Sequence, residues 1–394
     1  MRAACLAAFV ALTAALPASA QFPLSAEIGT SGIAATEARL AALPAPAPDE
    51  LFALAGLRFL GAIEGALQLR WRKGMSADYS ELPIFRLPIP ENPAPEPFAP
   101  ADVTALLTGV SADMTATQDA LTRLGPADFA LEINLNDLWF DLNTNGTRDE
   151  GEAISGVSGL ALGRGTGAGN VIVRFDAADA AWLAAYSHFL KAFTSLALAF
   201  NPEPAIAKVL DAGVQMQALQ GETPPENALD MIFGRQVDRI AMVYFALQQQ
   251  PDATLTRAAH QSLLDMIAAN RRFWALVDLE TDNAAEWVPN DRQTSALGLT
   301  MPPGTGARWQ AVLADAEALL TGAKLMPHWR FGAEAGINLK RLFESPAPVD
   351  IPAWAQGAGL LPWAEKGQRI TPENWQEFQR LVQGDAMLFA VFLN

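Results

Sequence analysis

The sequence predicts a mainly α-helical protein, in which a large helical body carries a small β-hairpin or sheet with one acidic loop. Two observations support this fold class. Long segments rich in Ala and Leu recur between breaks that contain Pro or Gly, whereas only two short stretches have the pattern of strands. The chain has 394 residues, of which 51% are hydrophobic. It is therefore long enough and apolar enough to bury a sizeable core.

The first twenty residues, MRAACLAAFVALTAALPASA, have the pattern of a secretory signal peptide. Arg2 precedes an apolar run that is too short to span a bilayer, and the small-residue motif ASA ends at Ala20 before Gln21. We expect cleavage between Ala20 and Gln21, and a periplasmic or extracellular protein. The only cysteine, Cys5, lies in this segment. The mature chain would then have neither a disulfide nor a thiolate metal site.

The remaining chain is predicted to form two helical lobes. The N-terminal lobe covers 21–200 and includes the β insertion, and the C-terminal lobe covers 201–394; one continuous domain is the alternative. Lys and Arg number 27 against 43 Asp and Glu, a formal net charge of −16. Such a charge repels nucleic acids and anionic lipid head groups. We expect a protein or small-molecule partner and no nucleic acid.

The first long helix is predicted over 51–74, with Asp49 as its N-cap. It is apolar nearly all round, which indicates a buried helix. Gly61 and Gly65 are four residues apart and would allow another helix to approach closely. A transmembrane helix is the less favoured alternative, because it would place an Arg and a Glu in lipid. No integral membrane span is expected.

The sheet is predicted from two strand patterns. A proline-rich, extended segment at 82–102 and a helix at about 101–123 precede them. In 129–140 apolar residues alternate with polar ones, and 170–175 (NVIVRF) is rich in β-branched residues. The acidic loop lies between these two stretches.

Helices are predicted again from Asp176, which with Asp179 has the pattern of an N-cap and its third-position partner. The other predicted helices lie near 203–219, 227–249, 253–277 and 307–322, and a last helix begins at Thr371 and Pro372.

The acidic loop has the sequence DLNTNGTRDEGE, residues 141–152. Oxygen-bearing residues alternate along it around one glycine, Gly146. A hard cation such as Ca²⁺ takes six to eight oxygen ligands, and the chain around it must reverse sharply, which a glycine permits. The candidate ligands are Asp141, Asn143, Asn145, the carbonyl of Thr147, Asp149 and Glu152.

This spacing resembles the EF-hand calcium loop, and more narrowly the loops of dockerins and bacterial single calcium motifs. The resemblance covers these twelve residues alone and implies calcium as the bound ion. Arg148 replaces the usual aliphatic residue at the eighth position, and a strand pattern precedes the loop. Both features favour a solitary loop, and two Asn ligands favour a modest Kd of about 10⁻⁵ to 10⁻³ M. The alternative is an Asx-rich turn without metal.

A weaker version of the pattern occurs at 278–289 (DLETDNAAEWVP). Ligand positions 1, 3, 5 and 9 would be Asp278, Glu280, Asp282 and Glu286, and Asn283 could form the turn. The twelfth position is Pro289, which has no side-chain ligand. An acidic, solvated loop is the favoured interpretation.

Three further motifs are incomplete. The stretch 301–309 (MPPGTGARW) lacks the Lys and Ser/Thr of a phosphate-binding loop and predicts a turn before a helix. The stretch 163–168 (GRGTGA) precedes a strand rather than a helix, and 156–160 (GVSGL) lacks the final glycine of a nucleophile elbow. None of the three predicts a nucleotide-binding or catalytic site.

The three histidines, His188, His260 and His328, are too far apart in sequence to predict a zinc motif. His188 lies on an apolar helix, where a structural contact with another core helix is favoured over an acid–base pair. The favoured function is an exported calcium-binding protein with a non-catalytic binding or scaffold role. The alternative is an extracytoplasmic hydrolase whose fold is stabilised by calcium.

Overall fold

The structure is a computed structural model that describes residues 22–75, 87–154, 171–220, 228–281, 285–298 and 301–381. These residues are mainly helical, as the sequence predicts, and include two antiparallel two-stranded sheets. The predicted signal peptide lies outside the described residues, as do the motifs at 156–160 and 163–168.

Three long helices form the N-terminal part. They are α1 (Pro23–Ala41), α2 (Pro48–Arg72) and α3 (Pro100–Leu124), each of which begins at a proline that needs no N–H partner there. Helix α2 is buried along most of its length, as predicted. Its N-cap is Ala47 rather than Asp49, and the carboxylate of Glu50 accepts a hydrogen bond from the Ala47 N–H at 2.9 Å. Proline at the first helical position moves the helix start upstream of Asp49.

The close helix approach that Gly61 and Gly65 would allow does not occur in the described part of the chain. A Cβ atom built on either glycine meets no described atom within 4 Å. The spacing permits a close contact but does not create one, because the helices that pack on α2 meet other positions of its surface.

The first sheet confirms the predicted strand pair. Strands β1 (Leu131–Asn134) and β2 (Ile172–Phe175) are antiparallel, and Leu131 lies opposite Phe175. β1 ends earlier than predicted, because a 3₁₀ turn follows at Leu135–Asp137. The second sheet pairs β3 (Ala335–Ile337) with β4 (Ala364–Lys366) and was not predicted.

The long helices after the first sheet follow the predicted order and approximate bounds. Short helices that were not predicted are added near the C-terminus. Together they are α4 (Ala177–Ala199), α5 (Pro202–Gln220), α6 (Ala228–Leu247), α7 (Ala253–Val277), α8 (Thr305–Leu320), α9 (Leu339–Glu344), α10 (Ile351–Gln356), a 3₁₀ helix (Ala358–Trp363) and α11 (Glu373–Leu381). Helix α4 has the predicted capping pair. Asp176 accepts from the Ala178 N–H at 2.8 Å, and Asp179 accepts from the Asp176 N–H at 3.0 Å.

The apolar core has two main parts. One lies between α2, α3 and the first sheet, and the other lies between the start of α4, α7 and α8. Helices α4 and α7 pack along each other over much of their length. This contact joins residues on both sides of the lobe boundary predicted from the sequence.

Helices α5 and α6 pack mainly on each other, and α5 also contacts α3. Both helices expose large apolar side chains. Among the described helices, none has by itself the length and hydropathy of a membrane span. Helices α4 and α5 meet that criterion only as a pair, and they are bent by 59° at the break between them.

Candidate metal centre

The loop 141–152 begins and ends on a pair of backbone hydrogen bonds. Phe140 N–H donates to the Glu152 carbonyl at 2.9 Å, and Ile154 N–H donates to the Leu138 carbonyl at 2.9 Å. These bonds pair the segment 138–140, just after β1, with the segment 152–154 in the antiparallel sense. The two ends of the loop are therefore held side by side, and the twelve residues between them form a closed turn.

Helix α2 fixes the first residue of the loop. A carboxylate oxygen of Glu64 accepts a hydrogen bond from the Asp141 N–H at 3.0 Å, and the Gln68 amide donates to the Asp141 carbonyl at 2.8 Å. The next side chain, Leu142, is buried in the core. Both backbone groups of Asp141 are thus tied to the helical body.

The carboxylate of Asp141 curls the loop around itself. One oxygen accepts from the Asn145 N–H at 3.0 Å and the other from the Gly146 N–H at 2.9 Å. Gly146 has φ = 74°, and Thr144 has φ = 58°. The sharp reversal predicted at the glycine is present, because this region of φ is accessible to glycine without strain.

Three further predicted ligands meet across the loop. The side-chain amides of Asn143 and Asn145 both donate to one carboxylate oxygen of Asp149, each at 2.8 Å. The Asn143 amide oxygen accepts from the Asn145 N–H at 3.0 Å, and the Asn145 amide oxygen accepts from the Thr147 N–H at 2.7 Å. The amide N–H groups supply the partial positive charge that faces Asp149.

Glu152 closes the loop from the inside. It is 1% exposed, and its two carboxylate oxygens accept from the Leu142 N–H at 2.9 Å and the Asp149 N–H at 2.8 Å. A carboxylate buried to this degree requires hydrogen bonds or a cation to offset its desolvation. In this loop two backbone N–H groups fulfil that requirement.

The donor set is compatible with a hard cation. All six predicted ligands offer oxygen, and a carboxylate oxygen that accepts one N–H bond retains a second lone pair. The hydrogen bonds within the loop also satisfy these groups without a cation, which is the arrangement of the alternative Asx-rich turn. The geometry therefore accommodates a hard cation as well as the metal-free turn.

Glu64 adds a buried acidic group behind the loop. Its pKa is raised to about 7. Burial is the largest cause; the hydrogen bond from the Asp141 N–H lowers the pKa, and the charges of Asp141 and Glu152 raise it. Neither Glu64 nor Gln68 was predicted to contact the loop. The only sign of this contact in the sequence is an acidic residue, Glu64, in an apolar helix, and it does not identify Asp141 as the partner.

A second acidic group lies at the start of α4. Oxygen atoms of Asp176, Glu280 and Glu286 lie within 4.8 Å of one another, and Glu286 is buried. The Arg174 guanidinium lies 3.7 Å from a carboxylate oxygen of Asp176. Asp179 is buried beside them. Its pKa is raised well above the ordinary value, mainly by burial and then by the charge of Asp176.

This group differs from the loop considered at 278–289. Glu280 and Glu286 are brought together, but their third partner, Asp176, comes from a distant part of the chain. Asp278 is the C-cap of α7 and is not a member of this acidic group. Asp282 and Asn283 lie outside the described residues.

The three histidines make separate structural contacts. The His188 ring nitrogen Nδ1 lies 3.1 Å from the Gln118 amide, a contact between the core helices α4 and α3. His260 Nε2 lies 2.7 Å from the Leu320 carbonyl oxygen. His328 packs against the Phe331 ring, with centroids 4.8 Å apart. The structural interpretation of His188 is consistent with this contact.

The stretch at 301–309 forms the predicted turn before a helix. The Thr305 hydroxyl donates to the Pro302 carbonyl at 2.6 Å, and Gly304, with φ = 75°, immediately precedes α8. Elsewhere in the fold, Trp329 is exposed, with the Arg330 guanidinium 4.2 Å from the centroid of its ring.

Comparison of the chain with protein-family models, curated protein sequences and solved structures found no significant match.

Proposed function

We propose that this chain is an exported calcium-binding protein with a non-catalytic binding or scaffold role. The observation that carries the proposal is the convergence of Asn143, Asn145 and Asp149 across a loop whose reversal is formed around the Asp141 carboxylate. A cation at this place would replace the two amide N–H groups as the counter-charge of Asp149. Export is proposed from the signal-peptide pattern of the first twenty residues.

Calcium is favoured over other cations by the chemistry of the donors. The predicted set consists of carboxylate, amide and carbonyl oxygens, without nitrogen or sulfur, and such sets suit Ca²⁺ rather than Zn²⁺ or Cu²⁺. The loop is solvent-exposed apart from Glu152 and its anchored ends. An exposed site with two amide ligands agrees with a Kd of about 10⁻⁵ to 10⁻³ M, a range typical of extracellular modules.

A structural role for the ion is supported by the anchoring of the loop. Because Asp141 is hydrogen-bonded to α2 and Glu152 to both ends of the loop, an ion bound here would stabilise the junction between α2 and the first sheet. Binding to the folded state alone stabilises a protein by about 2.7 kcal/mol when the free ion is at 100 times its Kd.

The hydrolase alternative has one feature in its favour, the acidic group of Asp176, Glu280 and Glu286 beside the buried Asp179. Groups with perturbed pKa values often mark catalytic sites, but structural ion clusters perturb pKa values too. A cavity between α4, α7 and 342–354 is lined by apolar side chains except for Thr256, so it offers no acid–base pair. The binding role is therefore preferred.

The deciding experiment is calorimetric titration of the chelator-treated protein with calcium, together with its melting temperature with and without 10 mM calcium. We expect one ion per chain and a rise of a few degrees in Tm. Asp141→Ala should weaken binding at least tenfold, because it removes the carboxylate around which the loop is formed. Arg148→Ala is the matched control in the same loop and should leave the affinity unchanged.

Two results would overturn the calcium proposal. The first is the absence of both heat and thermal shift up to millimolar calcium. The second is binding that Asp141→Ala and Arg148→Ala reduce equally, since that would place the ion elsewhere or make its binding nonspecific.

A further inference from the structure

Helix α6 has an exposed apolar stripe with the spacing of a helix–helix seam. Phe233, Val237, Ile240 and Tyr244 follow one another at intervals of four, three and four residues. All four are exposed, Phe233 by 69% and Ile240 by 68%. Intervals of three and four residues keep apolar side chains in line along one face and are typical of helices that pack on a partner helix. We call these four residues the α6 seam.

Between Phe233 and Tyr244, the charges of α6 lie away from the seam. At 100° per residue, Arg235, Asp238 and Arg239 fall on the side opposite to it, whereas the positions that flank it are Gly234, Gln236, Ala241 and Val243. The whole chain has a net charge of −16, so two copies repel each other over most of their surface. The seam and its flanks are uncharged, and two copies can approach there without that penalty.

The seam is complementary to itself when two α6 helices run antiparallel. A two-fold axis between Val237 and Ile240 brings Phe233 of one copy opposite Tyr244 of the other, and Val237 opposite Ile240. Aromatic residues then meet aromatic ones, and aliphatic residues meet aliphatic ones, as an isologous interface requires.

The exposed apolar area of α6 is that of a small interface. Besides the seam, α6 exposes Val243. These five side chains together expose on the order of 250 Å² of apolar area, at about 60–120 Å² for each complete side chain. Homodimer interfaces of standard size bury about 800 Å² per partner and are about 65% apolar. An α6–α6 contact is smaller than that, so we expect a weak dimer that forms in the micromolar range.

We propose that the α6 seam is the self-association surface of this protein, on which a second copy of the chain packs with its own α6 antiparallel. A membrane is a less suitable partner for this face, because interfacial helices have a strongly basic polar side, whereas α6 offers Arg235 and Arg239 beside Asp238 in an acidic protein.

The first test measures the mass of the chain in solution by light scattering and sedimentation at about 1–100 µM. We expect a dimer for the wild-type chain. Ile240→Glu should weaken the dimer at least 100-fold, because two unpaired carboxylates would be buried near the axis. Leu361→Glu is the control, since Leu361, like Ile240, is an exposed aliphatic residue (61%) but lies on the 3₁₀ helix outside the seam. It should remain dimeric, and equal far-UV spectra and Tm values would show that both variants fold.

The second test examines the register. In a Cys5→Ser background, chains with Phe233→Cys and chains with Tyr244→Cys are mixed and oxidised. The mixed pair should form a disulfide rapidly. Phe233→Cys alone should not, because the two copies of that residue would lie about 16 Å apart along the helix axis.

A wild-type chain that is monomeric at 100 µM would overturn the proposal. So would a dimer that Ile240→Glu leaves intact. A monomer that binds vesicles of phosphatidylcholine and phosphatidylglycerol, and loses this binding in Ile240→Glu, would assign the face to a membrane instead.

Discussion

A buried carboxylate oxygen of Glu64 accepts a hydrogen bond from the backbone N–H of Asp141 at 3.0 Å, across 77 residues of sequence. Through this bond the core helix α2 determines where the loop 141–152 begins. The Gln68 amide, one turn further along α2, donates to the Asp141 carbonyl at 2.8 Å. The position of the first predicted calcium ligand therefore depends on α2 as well as on the local sequence of the loop.

Glu64→Gln and Glu64→Leu are expected to differ in stability because only glutamine retains an acceptor for the Asp141 N–H. Both variants remove the buried charge, so this hydrogen bond is the main difference between them. We expect Glu64→Leu to be less stable than Glu64→Gln by about 1–3 kcal/mol, the cost of an unsatisfied buried donor. Urea unfolding at pH 8 in the presence of a chelator measures this difference. Equal stabilities would show that the N–H finds another partner.

Gly146→Ala should destabilise the loop through its backbone alone. Gly146 has φ = 74°, and a Cβ added there meets no described atom within 4 Å, so no clash is involved. An alanine in this conformation costs about 1–2 kcal/mol. We expect that cost to reduce calcium affinity about tenfold if the reversal is required for binding. Calorimetric titration measures the change, and an unchanged affinity would mean that the reversal does not contribute to the site.

Gly61→Ala is the matched control, since its Cβ would also meet no described atom within 4 Å but its backbone is helical. Here we expect stabilisation by about 0.5–1 kcal/mol, because alanine is the better helix former. Urea unfolding tests this prediction. A loss of stability would reveal a segment of the chain that packs closely on Gly61.

The helices, the residue pattern of each strand and the loop spacing were predictable because each depends on residues close together in sequence. The capping pair Asp176–Asp179 is an example, as both its hydrogen bonds lie within one helical turn. The bond between Glu64 and Asp141 was not predictable, since a single acidic residue in an apolar helix does not identify a partner 77 residues away.

The second acidic group and the α6 seam show the same limit. Glu280 and Glu286 were named as two of the acidic positions in the stretch 278–289, but they meet Asp176 only because α4 and α7 pack together. The spacing of Phe233, Val237, Ile240 and Tyr244 is visible in the sequence, yet it is equally compatible with a buried core helix. Only the fold shows that this face is exposed.

His188 is predicted to make the protein more sensitive to mild acid. Its pKa is lowered from the ordinary 6.5, first by burial, while the charge of Asp265 raises it and the charge of Lys191 lowers it. The folded state therefore favours the neutral ring, whose Nδ1 is 3.1 Å from the Gln118 amide. As pH falls below about 6.5 the unfolded chain takes up a proton before the folded chain does, so stability decreases until the lower, folded pKa is passed.

The matched variant for this prediction is His188→Asn, which retains an acceptor for the Gln118 amide and does not titrate. We expect the difference in unfolding free energy between wild type and His188→Asn to be constant above pH 7.5. Below pH 6.5 it should shift in favour of the variant, at up to about 1.4 kcal/mol per pH unit. Urea unfolding at intervals from pH 8 to pH 5 measures both curves. If the two curves stay parallel over this range, His188 does not have a lowered pKa in the folded protein, and the acid sensitivity belongs to another group.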